Sequence, residues 1–214
     1  HFAAMPANLG FVDAAALPLA GLTAWQMLVN VGQVTAGMRV LINGAAGGVG
    51  HLAVQIAKAK GAYVVVTARK EKHEFLSSLG ADHVIDYTQL HVPDVVSDID
   101  LVLEMVGGET CLTMLKTLRM GGLLVSAQAA WAPTLMDDAK ALGVRASWYL
   151  VEPDSAGLAE LARLVESGQL RVHVERVLPL EEAAAAQTLV AGKRVAGKVV
   201  LTLQDQEKTR RTLH

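Results

Sequence analysis

Short apolar runs alternate with helix-like segments over most of the chain, and this alternation predicts its fold. The runs at 64–67, 100–104 and 123–126 show little alternation between polar and apolar positions. Strands of that kind are buried on both faces, as in a parallel sheet covered by helices. We therefore predict an α/β domain with a doubly wound parallel sheet, for which right-handed crossovers favour the strand order 3-2-1-4-5-6. The other strands of this sheet are predicted at residues 40–43, 83–86 and 144–150.

The pattern changes at both ends of the chain. Residues 13–31 read as a helix that Pro18 could kink, and residues 112–118 fall in the helix after the fourth strand. A charged tail covers residues 204–214. Between the sixth strand and the tail, the periodicity predicts helices at 158–166 and 181–191 and strands at 172–177 and 198–203.

A glycine-rich turn follows the first strand and opens a helix. Gly47, Gly48 and Gly50 carry no side chains, so a ligand can approach the backbone closely. The first N–H groups of the helix are unpaired and, with the helix dipole, favour an anion. A tight turn that binds nothing is the alternative. The strand before the turn and the strand after its helix favour a nucleotide phosphate site.

The end of the second strand indicates which nucleotide binds. NAD-specific sheets usually carry an acidic residue there, on the ribose hydroxyls. Here the strand ends at Thr67 and is followed by Ala68 and by the basic residues Arg69, Lys70 and Lys72. These cations could pair with a 2′-phosphate, although a solvated basic helix start is the alternative. The sequence therefore favours NADP over NAD.

Composition narrows the class of protein. The chain has 214 residues, 52% of them hydrophobic, and a net charge of -2, which argues against a nucleic-acid partner. Cys111 is its single cysteine, and its seven histidines are scattered, so we expect no disulfide and no metal site. No apolar run reaches membrane-spanning length, and no signal peptide opens the chain, so we expect a cytoplasmic protein without membrane contact.

Five short sequence motifs resemble those of the medium-chain dehydrogenase/reductase superfamily, in its zinc-independent quinone oxidoreductase branch. They lie at 17–25 (LPLAGLTAW), 40–50 (VLINGAAGGVG), 79–87 (LGADHVIDY), 106–108 (VGG) and 197–201 (GKVVL). The resemblance implies a Rossmann sheet that binds NADP(H). It also implies a homodimer joined along the edge of the sixth strand, which would otherwise leave an apolar edge uncovered.

The same resemblance implies roles for individual residues. Ala46, Gly47, Gly48 and Val49 would hold the pyrophosphate, while Lys72 and Tyr87 would contact the 2′-phosphate end. Met105 departs from relatives that have a polar residue there, which puts that contact in question. The remaining implied positions lie along the cofactor or its nicotinamide half: Thr23, Met105, Val106, Ala127, Gln128, Ala129, Trp148, Tyr149 and Leu150.

Family members begin with a GroES-like domain ahead of the segment where this chain starts. We therefore expect residues 1–31 to lead from that domain and residues 32–152 to form the NADP-binding domain. Residues 153–203 would be the remnant that returns to the catalytic domain, with strands that pair there, and residues 204–214 the tail.

The resemblance implies NADPH-dependent reduction of quinones or α,β-unsaturated carbonyls by hydride transfer, with an unknown proton donor. Two alternatives stay open: an enoyl reductase unit of a larger synthase, and a non-catalytic NADPH-binding or scaffold domain. A GroES-like domain encoded upstream in the parent reading frame would favour the enzyme.

Overall fold

A six-stranded parallel sheet forms the centre of the protein, in the computed structural model that describes residues 2–128 and 132–203. Its strand order is β3-β2-β1-β4-β5-β6, so the predicted order is confirmed. The order reverses between β1 and β4, where crevices of open α/β sheets bind ligands. The strands are β1 (Arg39–Asn43), β2 (Tyr63–Ala68), β3 (His83–Asp86), β4 (Ile99–Glu104), β5 (Leu118–Ser126) and β6 (Arg145–Trp148).

Helices cover both faces of this sheet because successive β-strand side chains point to opposite sides. Val40 and Ile42 pack into the apolar cluster on the first face, and Leu41 between them packs into the cluster on the second face. The first face carries α2 (Pro18–Trp25), α3 (Gly50–Ala59), α4 (His73–Ser78) and α8 (Ser155–Glu166). The second face carries α5 (Val92–Val95), α6 (Thr110–Leu115) and α7 (Leu135–Ala141).

The predicted helix over residues 13–31 is divided into three segments. They are α1 (Phe11–Ala16), α2 and a π-helix over Gln26–Val31. The break lies at Leu17, because Pro18 has no N–H to donate and begins the next helix. Wider π-type turns often accompany functional sites, and this one begins at a buried glutamine.

Several element boundaries differ from the sequence prediction; the strand expected at 172–177, for example, lies at Val174–Pro179. Leu118 was expected in a helix, but it begins β5 and pairs with Ile99. The helix ends earlier because the buried Thr117 hydroxyl donates to the Met114 carbonyl, which closes the last turn. Strand β6 is shorter than predicted, since only four of its residues have partners on β5.

The C-terminal segment folds back onto the first face of the sheet. It contains β7 (Val174–Pro179), α9 (Ala183–Ala191) and β8 (Lys198–Thr202), and the two strands pair with each other in parallel. These strands were expected to pair in the GroES-like domain of the family, and their pairing with each other was not predicted. Two buried glutamines attach the segment, because the amide of Gln55 pairs with both backbone groups of Arg171 and that of Gln26 with those of Glu152.

Candidate functional site

Four buried polar residues lie side by side at the carboxyl edge of the sheet. Thr67, Asn43, Glu104 and Ser126 occupy one register row across β2, β1, β4 and β5. Each is at most 6% exposed. Polar groups at that depth need partners, which come from within the row and from the backbone of the turns after β4 and β5. This edge also holds the loops that follow each strand.

Glu104 is the centre of this polar row. One carboxylate oxygen accepts the N–H groups of Val106 and Gly107 at 2.6 and 3.1 Å, and the other accepts the Asn43 amide at 2.8 Å. The Thr67 hydroxyl in turn donates to the Asn43 side-chain oxygen. Burial raises the pKa of Glu104, and its three donors oppose that shift. The network therefore fixes the turn after β4 against the end of β1.

The glycine turn after β1 has one closed side and one open side. A Cβ on Gly50 would lie 2.5 Å from the Gly44 carbonyl oxygen, so only glycine fits where the helix meets the turn. A Cβ on Gly47 would meet only that same oxygen, at 3.4 Å. Ala46 and Val49 are half-buried beside it. The turn therefore presents backbone to an anion at Gly47 and Gly48, a cradle that fits a pyrophosphate.

A lysine from the far end of the chain lies over this cradle. A Cβ on Gly48 would be 2.9 Å from Cδ and 3.5 Å from Nζ of Lys198. The Gly197 N–H donates to the Ala46 carbonyl at 2.8 Å, which holds the start of β8 against the turn. Sequence analysis did not select Lys198 as a site residue. Its ammonium adds a cation to the backbone N–H groups.

His51 connects the glycine turn to the C-terminal segment. Its Nδ1 lies 2.9 Å from the Gly47 carbonyl oxygen, and its Nε2 accepts the backbone N–H of His173 at 3.2 Å. These contacts place the proton on Nδ1. Burial lowers the pKa of His51 from 6.5 to about 4, and the nearby His173 and Lys198 add to that shift. The ring is therefore neutral at physiological pH.

Acid is expected to weaken the fold through His51. Its pKa is lower in the folded chain than in the unfolded chain, so only the unfolded chain gains a proton between pH 6.5 and about 4. Stability therefore falls as pH falls through this window, by about 3 kcal/mol for this group. Urea unfolding at several pH values measures the slope. His51→Asn keeps a donor for Gly47 without titrating, and an unchanged slope in this variant would contradict the assignment.

The basic residues after β2 have different partners. Arg69 Nε donates to the Tyr87 hydroxyl at 3.1 Å, and its guanidinium lies 6.0 Å from the centre of that ring. Lys72 forms an ion pair with Glu175 of β7 at 3.7 Å. Within the described parts of the chain, no carboxylate pairs with Arg69. Thr67 and Ala68, at the end of β2, are buried.

The loops after β4 and β5 are tied together above Glu104. The side-chain amide of Gln128 donates to the Met105 carbonyl at 3.1 Å, and its backbone N–H donates to the Ser126 hydroxyl. Ala127 and Met105 are half-buried and pack against the core, whereas Val106 is exposed. Ala129, another predicted site residue, lies outside the described residues.

The segment after β6 is held by Gln26, which sequence analysis did not select. The Gln26 side-chain oxygen accepts the Tyr149 hydroxyl at 3.2 Å and the Glu152 N–H at 3.0 Å. Trp148 and Leu150 on either side are 43% and 66% exposed. Thr23, one turn before Gln26 on the same helical stretch, is buried, and its hydroxyl donates to the Leu19 carbonyl.

Comparison with known proteins decides the family. The model for zinc-binding dehydrogenases matches residues 79–201. The chain belongs to the medium-chain dehydrogenase/reductase superfamily. A Danio rerio protein named NAD(P)H oxidoreductase RTN4IP1, mitochondrial, is 32% identical over 95% of this chain and 60% of its own length. An Arabidopsis thaliana protein named NADPH-dependent alkenal/one oxidoreductase, chloroplastic, is 34% identical over 92% of this chain and 48% of its own length.

Solved structures agree with this assignment to the medium-chain dehydrogenase/reductase superfamily. The quinone oxidoreductase from Coxiella burnetii is 37% identical and has a TM-score of 0.88, covering 94% of this chain and 63% of that one. The present chain spans about half to three fifths of the length of the two curated relatives. The predicted quinone oxidoreductase-like family is confirmed.

The described residues contain neither a candidate metal site nor a candidate membrane-spanning helix. Residues 2–128 and 132–203 bring together no group of three or more His, Cys, Asp or Glu side chains that could hold a metal ion. Nor is any helix within those ranges long and apolar enough to cross a bilayer.

Proposed function

We propose that this chain is the cofactor-binding part of an NADPH-dependent reductase of quinones or α,β-unsaturated carbonyls. The glycine cradle at the β1–β4 crevice, with Lys198 over it, is the observation that carries the proposal. The Gly47 N–H already donates to the Gly44 carbonyl, so the Gly48 backbone and the Lys198 ammonium would bind the charges of a pyrophosphate. The names of the relatives, which include a quinone oxidoreductase and an alkenal/one oxidoreductase, support the substrate class.

The basic end of β2 supports NADPH rather than NADH as the cofactor. Arg69 donates to the Tyr87 hydroxyl and pairs with no carboxylate among the described residues, and no acidic residue ends the strand. A planar guanidinium suits a 2′-phosphate through paired hydrogen bonds. The proposed contacts along the cofactor are those expected from sequence: Thr23, Ala46, Gly47, Gly48, Val49, Thr67, Ala68, Arg69, Lys72, Tyr87, Met105, Val106, Ala127, Gln128, Ala129, Trp148, Tyr149 and Leu150.

Bound NADPH would supply the hydride, and the chain would supply binding and orientation. Glu104 holds the turn that carries Val106 and Gly107, so the walls of the crevice are set before the cofactor arrives. Gln26 holds the segment after β6 in the same way. Such preorganisation lowers the entropic cost of placing a nicotinamide against a substrate.

Titration of both reduced cofactors by fluorescence tests the proposal. We expect NADPH to bind about tenfold to a hundredfold more tightly than NADH, the value of one charge-assisted phosphate contact. Arg69→Gln should reduce this ratio toward one while leaving NADH affinity unchanged. Arg163→Gln, on the exposed face of α8, is the control that removes a cation elsewhere. Equal affinities for the wild-type chain would contradict NADPH selectivity.

We also propose a homodimer, zinc-independent chemistry, a cytoplasmic location and a division at about residues 31, 152 and 203. The edge position of β6 and the exposure of Trp148 support pairing of two sheets. A sedimentation mass equal to one chain at tens of micromolar, roughly where ordinary dimers persist, would contradict the dimer.

A further inference from the structure

A carboxylate of the C-terminal segment lies at the basic end of β2. Glu175 Oε2 is 3.7 Å from Lys72 Nζ, and the side chains of Glu175 and Lys72 are 34% and 28% exposed. Lys72 is one of the cations proposed for the 2′-phosphate. Strand β2 itself ends without an acidic residue. Glu175, which comes from a strand distant in sequence, nevertheless brings a negative charge to this end of β2.

Two neighbouring contacts between α4 and the 171–175 segment support this ion pair. The Arg171 guanidinium donates to Ser78, and the rings of Phe75 and His173 lie 4.7 Å apart. Lys72 and Glu175 form the third contact. The partners on the helical side are spaced by three residues and those on the extended side by two, which matches the two periodicities. The pair is thus the end of an ordered interface rather than an isolated surface contact.

The β7–β8 pair also fixes the position of the Glu175 carboxylate. The β7–β8 register shifts between Val174 and Arg176, so Glu175 is the extra residue, and such a shift re-aims a side chain. Glu175 Oε2 accepts the Ala196 N–H. Ala196 precedes Gly197 and Lys198, the two residues that contact the glycine turn. Backbone on one side and Lys72 on the other therefore keep the charge in place.

We propose that Glu175 competes with the 2′-phosphate for Lys72 and so limits the preference for NADPH. The inference rests on the proposed function. NADH leaves the ion pair intact, whereas the phosphate of NADPH reaches a cation that already has an anionic partner. Arg69, which pairs with no carboxylate in the described residues, then carries most of the selectivity.

Glu175→Gln tests the proposal because it removes only the charge. The amide oxygen still accepts the Ala196 N–H. We expect NADPH affinity to rise about twofold to fivefold, the range of a partly exposed charge pair, with NADH affinity unchanged. Glu181→Gln, an exposed carboxylate just after β7, is the matched control and should change neither affinity.

Repeating the substitution in a Lys72→Met background separates competition for Lys72 from direct electrostatic repulsion between Glu175 and the 2′-phosphate. Competition requires that Glu175→Gln no longer raises NADPH affinity when Lys72 is absent. An equal rise in both backgrounds would overturn competition, as would no rise or a fall in the wild-type background. If the wild-type chain binds neither cofactor, the proposed function fails and the inference fails with it.

Discussion

Gly48→Asp is expected to abolish NADPH binding while the chain stays folded. A side chain at this position points toward the end of Lys198, a flexible group that can move aside. The new carboxylate would pair with the Lys198 ammonium and occupy the place proposed for the pyrophosphate. We expect affinity to fall roughly a hundredfold or more, since a favourable charged contact is replaced by repulsion. Fluorescence titration measures the loss, and circular dichroism checks the fold.

Gly48→Ala is the matched control for the carboxylate. It adds the same Cβ, whose close contact is with Lys198 Cδ, but no charge. This variant should keep most of the NADPH affinity. If alanine abolishes binding as completely as aspartate, space rather than charge decides at this position. Undiminished binding by a folded Gly48→Asp would place the phosphates elsewhere.

Glu104→Leu is expected to lower the free energy of unfolding by about 3–5 kcal/mol, because each buried donor left without an acceptor costs roughly 1–3 kcal/mol. The substitution leaves the N–H groups of Val106 and Gly107 and the amide of Asn43 buried without their acceptor. The turn after β4 would also lose its anchor, so NADPH affinity should fall. Urea unfolding monitored by circular dichroism measures the stability.

Glu104→Gln is the rescue variant for this network. Its oxygen can accept from Val106 and Gly107, and the Asn43 amide can turn over to accept from its nitrogen. The Thr67 hydroxyl can then accept from Asn43 instead of donating to it. We expect less than half the loss seen with leucine. A leucine variant that loses under about 1 kcal/mol, the value of one ordinary hydrogen bond, would show that the network stabilises little.

The candidate site was only partly predictable from local patterns. The glycine turn is evident because its strand, glycines and helix are consecutive. The polar row had a sequence signal that was not used, because Asn43, Glu104 and Ser126 each end an apolar strand. Lys198 and Gln26 had no such signal, since a lysine at the start of a strand and a glutamine in an apolar helix are common.

Sequence alone determined the order of elements and the order of strands in the main sheet. Periodicity of apolar positions reports which face of each element is buried, and right-handed crossovers leave few ways to connect parallel strands. Glycines at 47, 48 and 50 marked the turn, because open backbone at a helix start requires them.

Tertiary structure alone decided which distant residues meet at the glycine turn and at the end of β2. Lys198 reaches Gly48, His51 accepts from His173, and Glu175 pairs with Lys72, each across more than a hundred residues of chain. The parallel pairing of β7 with β8 belongs to the same class. Periodicity describes burial within one element and carries no record of its partner, so contacts between distant segments emerge only when the whole core packs.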